Sequence, residues 1–122
     1  MVGTDIIEVN RIENAMQDEN FALRVFTQNE IAYCEKFKGK IKYQHYAARF
    51  AAKEAVFKAI SFTLNSKYDI DFKDIEVLND KDGRPYIKIL NVDKLPDEVK
   101  KLKINVSLSH IEDYAIAVVE TK

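Results

Sequence analysis

Two carboxylates and several cations stand where a folded chain has little use for them unless they do chemistry. The run Tyr-Ala-Ala-Arg-Phe-Ala-Ala-Lys-Glu-Ala-Val-Phe-Lys-Ala-Ile over residues 46–60 reads as a helix that is apolar on almost every side, yet it carries Arg49, Lys53, Glu54 and Lys58. At about 100° per residue, Glu54 falls between Phe50 and Phe57 and beside Ala47 and Ala51, inside an apolar stripe. A carboxylate there is costly unless it pairs with a cation or holds a metal. Lys58 follows Glu54 by one turn, within reach of an i,i+4 ion pair. Two readings of the pair therefore stand: an internal salt bridge on a more exposed helix, or part of a metal and phosphate site.

Gly3-Thr4-Asp5 and Ser107-Leu108-Ser109-His110 put further polar residues at expected strand ends, where catalytic groups tend to be displayed. Asp5 also has a purely local reading. With Glu8 three residues on, it resembles the N-cap of a capping box. His110 taken alone reads as a hydrogen-bonded structural histidine, and His45, on the expected exposed start of the central helix, receives no role. An Asp and a Glu converging from two elements, with a Lys nearby, suit a hard cation such as Mg²⁺ and a phosphate ligand.

The elements that must position these groups follow from periodicity. Residues 2–4 read as a short strand leading to Asp5, after which Ile6, Val9, Ile12 and Met16 recur at helical spacing. Thr27 with Glu30 forms a capping box for a helix to about residue 37, closed by Gly39 as the residue after its C-cap. The central helix is expected over about residues 43–61. Ile75 and Val77, a turn at residues 80–83, and Tyr86, Ile87 and Ile89 read as a hairpin. Pro96 opens a short helix to residue 102. Ile104, Val106 and Leu108 alternate with polar residues as a half-buried strand, and residues 114–119 read as a more fully buried return strand. The expected fold is α+β: helices first, then a small antiparallel sheet, in a single domain over residues 1–122.

Composition narrows the class. At 122 residues, with 47% hydrophobic residues and only three glycines and two prolines, the chain is long and apolar enough to fold compactly. It has no apolar run of membrane-spanning length and no basic leader followed by an apolar segment. A net charge of −1 gives no general attraction to nucleic acid. Lys36, Lys38, Lys40 and Lys42 alternate around Gly39, as a solvated loop or as a surface for an anionic partner. Cys34 is the single cysteine, which excludes an internal disulfide and points to a reducing, cytoplasmic setting with Cys34 in the core.

Five stretches carry a resemblance to a known family: G-T-D-I-I-E-V-N-R-I at residues 3–12, R-V-F-T-Q-N-E at 24–30, A-R-F-A-A-K-E-A-V-F-K-A at 48–59, D-I-E-V and G-R-P-Y at 74–77 and 83–86, and S-L-S-H with Y-A-I-A-V-V between 107 and 119. In this order they resemble the holo-[acyl-carrier-protein] synthases, small 4′-phosphopantetheinyl transferases. The resemblance implies transfer of the 4′-phosphopantetheine arm from coenzyme A to a serine of apo acyl carrier protein in fatty-acid synthesis, with release of adenosine 3′,5′-bisphosphate. It further implies Mg²⁺ dependence and a homotrimer with active sites between subunits. Carried over by position, Asp5 and Glu54 match the Mg²⁺ ligands, with Glu54 and Lys58 in the chemistry. Arg49, Lys58 and His110 match positions that contact coenzyme A phosphates or the reacting centre. Arg11 and Arg24 match basic positions facing the carrier protein. One departure is plain: the family generally has a glycine-containing loop after the central helix, whereas residues 60–63 here are Ile-Ser-Phe-Thr. Two other readings remain: a trimeric binding module that has lost the chemistry, and a structural oligomer in which Glu54 and Lys58 only pair.

Overall fold

The first strand runs farther than its local pattern suggests. In the computed structural model, which describes residues 1–64 and 69–122, β1 spans Val2–Glu8 and contains Asp5 instead of stopping before it. It pairs antiparallel with β5 (Tyr114–Thr121) along its whole length, from Val2↔Glu120 to Glu8↔Tyr114. This pairing outweighs the capping pattern, so Asp5 is not a helix N-cap. The helix α1 (Val9–Ala15) begins only after Glu8, where the Val9 N–H donates to the Asp113 carbonyl at 2.8 Å. The strand's period of two turns Gly3, Asp5 and Ile7 toward the interior and Thr4, Ile6 and Glu8 outward.

Two short helices follow. The first, α2 (Glu19–Val25), has Asp18 as its N-cap, accepting from Asn20 N–H, and its weak periodicity gave no sign of it in the sequence. The capping box of α3 (Gln28–Cys34) is formed as expected by Thr27 and Glu30. Gly39 does take a left-handed φ of 61°, but it opens the long helix α4 (Gly39–Ile60) instead of closing α3. Residues 61–63 make a 3₁₀ turn in place of a glycine loop.

The second half matches the expected order. Strands β2 (Ile75–Asn79) and β3 (Pro85–Ile89) form a hairpin whose turn is held by Asp80 Oδ1, which accepts from Asp82 and Arg84 N–H. The short α5 (Asp97–Lys100) precedes β4 (Ile104–His110). Strand β5 lies between β1 and β4 in a three-stranded antiparallel sheet. Its burial corrects the expectation of a fully covered strand. Ala115, Ala117, Val119 and Thr121 are buried, while Tyr114, Ile116 and Val118 face out. Among the described residues no helix is long and apolar enough to cross a membrane.

Helix α4 lies across the inner face of this sheet, and small side chains set how close it comes. Ala47, Ala48, Ala51, Ala52, Ala55 and Ala59 are all buried. At Gly3 the two backbones nearly touch: a Cβ added there would run into the Ala55 carbonyl oxygen and come within 2.9 Å of the Ala59 nitrogen. Both are backbone atoms of a packed helix and cannot swing aside. Gly3→Ala is therefore expected to cost about 3 kcal/mol or more, read as a lower urea midpoint. An unchanged midpoint would show that strand and helix are not in this contact.

Candidate active site

The charges of α4 divide around its circumference. Lys53 is fully buried and points away from β1, toward α3 and β2. Its ammonium meets Glu30 Oε1 at 2.7 Å and donates to the carbonyls of Phe72 and Ile75 at 2.9 and 2.5 Å. Glu30 in turn accepts from the N–H groups of Thr27 and Val77, so every member of this buried pair has hydrogen-bond partners. Burial pulls the Lys53 pKa below its usual value, with Glu30 opposing it. Lys53 thus serves the core and not the functional cluster.

Glu54 is half-buried at the next position around the helix, between the half-buried rings of Phe50 and Phe57. It borders two cavities. One, of about 310 Å³, is shared with Asp5, Arg11, Phe21 and Phe50. The other, of about 270 Å³, is walled by Phe57, Ile70, Phe72 and Ile75 together with Lys53 and Asp71. The two carboxylates of the sequence reading are therefore brought to one cavity by β1 and α4. Burial first, and the neighbouring Asp5 carboxylate second, raise the Glu54 pKa, while Lys58 lowers it.

Lys58 does not pair with Glu54. Its ammonium lies 3.0 Å from Asp5 Oδ1 and donates to the Thr4 carbonyl at 3.0 Å, which removes the simple i,i+4 bridge as an account of Glu54. Among the described residues no group of three metal-ligating side chains occurs. Two carboxylates without a third ligand fit Mg²⁺, which keeps waters and is bound through one or two carboxylates plus substrate phosphates. Burial first and the Asp5 charge second make the ionised Glu54 costly, and a dication beside both carboxylates would relieve that cost.

Arg49 and His110 lie elsewhere. Arg49 is 2% exposed, and its Nη2 donates to Asn79 Oδ1 at 2.5 Å. Its guanidinium lies 4.1 Å from the centre of the Tyr33 ring. Its Nε has no partner. A buried guanidinium that makes no ion pair among the described residues suits an anion, although Asp80 also borders its cavity. That cavity, of about 440 Å³, is shared with Asn29, Tyr33, Lys36, Asn79 and Lys81. His110, exposed at the end of β4, meets Gln44 through Nδ1 at 2.9 Å and packs edge-on against His45, ring centres 5.1 Å apart. His45 is stacked on Phe37 at 3.9 Å and touches Tyr33. Burial, then His110 and Arg49, lower its pKa to about 4. Far from being a plain surface residue, His45 joins His110 to the Tyr33–Arg49 stack. Its spacing of four from Arg49 on one helix face was the available signal. Asn79 gave none. Arg11 borders the Asp5–Glu54 cavity, Arg24 is exposed on α2, and Cys34 is buried with its pKa pushed up to about 12 by burial.

The chain is similar to known proteins over nearly its whole length. The family described as the 4′-phosphopantetheinyl transferase superfamily matches residues 1–119. The holo-[acyl-carrier-protein] synthase of Ruminiclostridium cellulolyticum is 47% identical over 120 residues, covering 96% of this chain and 87% of that protein. The Bacillus anthracis holo-(acyl-carrier-protein) synthase in complex with CoA (3′,5′-ADP) superposes with a TM-score of 0.78 at 35% identity, covering 97% and 91% of the two chains. The Chronobacterium ammoniagenes ACPS–CoA complex gives a TM-score of 0.86 at 26% identity, covering 100% and 96%.

The electrostatics of the cavity have a measurable consequence. Glu54 is more easily protonated folded than unfolded, so its charge opposes folding above the folded pKa, and the opposition fades as pH falls toward the ordinary carboxylate range. In metal-free buffer at neutral pH, Glu54→Gln is expected to melt a few degrees higher than the unaltered protein. The difference should shrink steadily on acidification. Equal melting at neutral pH would contradict the cost of a charged Glu54 half-buried beside Asp5.

Proposed function

This chain belongs to the 4′-phosphopantetheinyl transferase superfamily and is an enzyme of the holo-[acyl-carrier-protein] synthase type, and on that premise we propose that it moves the 4′-phosphopantetheine arm of coenzyme A onto a serine of apo acyl carrier protein. Adenosine 3′,5′-bisphosphate leaves, and the product serves fatty-acid synthesis in the cytoplasm. The whole of residues 1–122 acts as one such domain. The observation that carries this reading is the meeting of Asp5 and Glu54 at one cavity, with Lys58 on Asp5.

Asp5 and Glu54 would hold Mg²⁺, which when bound draws negative charge off the diphosphate of coenzyme A. Lys58, half-exposed and tethered to Asp5 and Thr4, stands ready to neutralise an oxygen that gains charge as the diphosphate splits. Glu54, or a water held beside it, would take the proton of the attacking serine hydroxyl. Positioning two large substrates supplies most of the rate. Arg49 and His110 take coenzyme A phosphates. Arg11, at the rim of the Asp5–Glu54 cavity, and Arg24, on the outside of α2, face the acidic carrier protein.

The split between the two groups supports an active site built from two subunits of a homotrimer. Asp5 and Glu54 share one cavity, while Arg49 borders another and His110 a third. The outer face of the three-stranded sheet has the apolar character an assembly needs: Val2, Ile6, Tyr114, Ile116 and Val118 are 38–66% exposed there.

Incubation with apo acyl carrier protein, coenzyme A and Mg²⁺ is expected to add one phosphopantetheine mass to the carrier. Asp5→Ala and Glu54→Ala should each lower kcat/KM on the order of a hundredfold or more while leaving the folded spectrum intact. No adduct with the unaltered protein would favour a binding module instead.

The trimeric site has its own test. Arg49→Gln and Glu54→Ala subunits, each inactive alone, are expected on mixed reassembly to recover about a quarter of full activity, the statistical share of sites that join two sound halves. A mixture as inactive as its components would place both halves in one subunit.

A further inference from the structure

His110 ends β4 at the margin of the sheet, where nothing in its own strand fixes its ring. The fixing groups come from α4. Gln44 Oε1 lies 2.9 Å from Nδ1, and the His45 ring stands edge-on at 5.1 Å. His45 is itself held, stacked on Phe37 at 3.9 Å and against the edge of Tyr33 at 5.6 Å, whose ring face carries the Arg49 guanidinium. A carbonyl oxygen can only accept, so the ring nitrogen opposite Gln44 must be the one that carries hydrogen. In a neutral imidazole that choice leaves the lone pair on the other nitrogen.

We propose that Gln44 is a positioning residue for His110: its side-chain carbonyl holds the Nδ1–H tautomer and so presents Nε2 to coenzyme A. The inference rests on the assignment of His110 to the coenzyme A site. Its chemical sense is that a proton drawn onto the ring by a phosphate arrives at Nε2, the atom that makes the N–H···O bond. No tautomer exchange or ring flip is then needed on binding. His45 supplies the wall that keeps the ring plane in place. This is the arrangement by which a second group fixes the orientation and protonation of a working histidine.

Long-range ¹H–¹⁵N correlation spectra of the full-length protein read the tautomer directly. His110 is expected as the Nδ1–H form, retained in Gln44→Glu, which keeps the acceptor, and lost in Gln44→Leu, which has none. A wild-type ring protonated at Nε2, or a Gln44→Leu spectrum identical to wild type, would overturn the proposal. Coenzyme A titration then tests the consequence. Gln44→Leu should raise Kd about five- to tenfold, and the same change in a His110→Ala background should do nothing further. An equal loss in both backgrounds would show Gln44 acting on the ligand by itself and would also overturn it. Should His110→Ala bind coenzyme A like wild type, His110 leaves the ligand site and the second half of the proposal fails, while the spectra still decide the tautomer.

Discussion

The distance between β1 and α4 governs everything built on them. Gly3 has no side chain, and the helix face above it is a run of alanines, so the strand and helix backbones can meet almost directly. That approach places Asp5, two residues along the same face of the strand, beneath the turn that carries Glu54 and Lys58. A larger residue at position 3 would lift the helix off the sheet and draw Lys58 away from Asp5. Close backbone approach is ordinarily a device of packing; here it sets the reach between two carboxylates.

The rotation of the helix about its own axis needs a second constraint, and the buried Glu30–Lys53 pair provides it. An alanine-rich surface offers little to stop a helix turning on a sheet. Lys53, with three partners drawn from α3, β2 and the turn before it, does stop it. Fixing Lys53 on one side fixes Glu54, the next residue, on the side facing β1. A buried ion pair of this kind adds little net stability over an apolar core, but it costs several kcal/mol to break and so selects one arrangement over its neighbours.

The chain's pattern disclosed much of this, unevenly. The central helix, the Thr27–Glu30 capping box, the hairpin around Gly83 and the two last strands were legible because periodicity and turn chemistry agreed. The start of the chain was misleading: Asp5 and Glu8 have capping-box spacing, and only pairing with β5, more than a hundred residues away, keeps them in a strand. Likewise, Lys58 lies at a pairing distance from Glu54 along the helix, but a local rule cannot show that Asp5 and the Thr4 carbonyl compete for the same ammonium. The apolar outer face of β5 read as burial, because an unbroken apolar run does not say which of its side chains face the core. The alanines between the charges also concealed that Lys53 turns into the core while Glu54, adjacent in sequence, reaches the cavity of Asp5.

That last division bears on how the family's chemistry can be spread over its chain. One helix carries the carboxylate of one cavity and the buried guanidinium of another. Asp5 and Lys58 extend the first group, whereas Tyr33, His45 and His110 extend the second. Within the first group Lys58 is taken up by Asp5, and burial with Asp5 beside it keeps the Glu54 pKa raised. In the second group Arg49 keeps an unpartnered nitrogen in the interior. Each group holds an electrostatic debt that a ligand bearing both phosphates and a bound cation could settle at once, provided two copies set their unlike faces together. Assembly and substrate binding would then draw on one source of free energy, and the apolar outer face of the sheet would supply the contact that brings the faces into register.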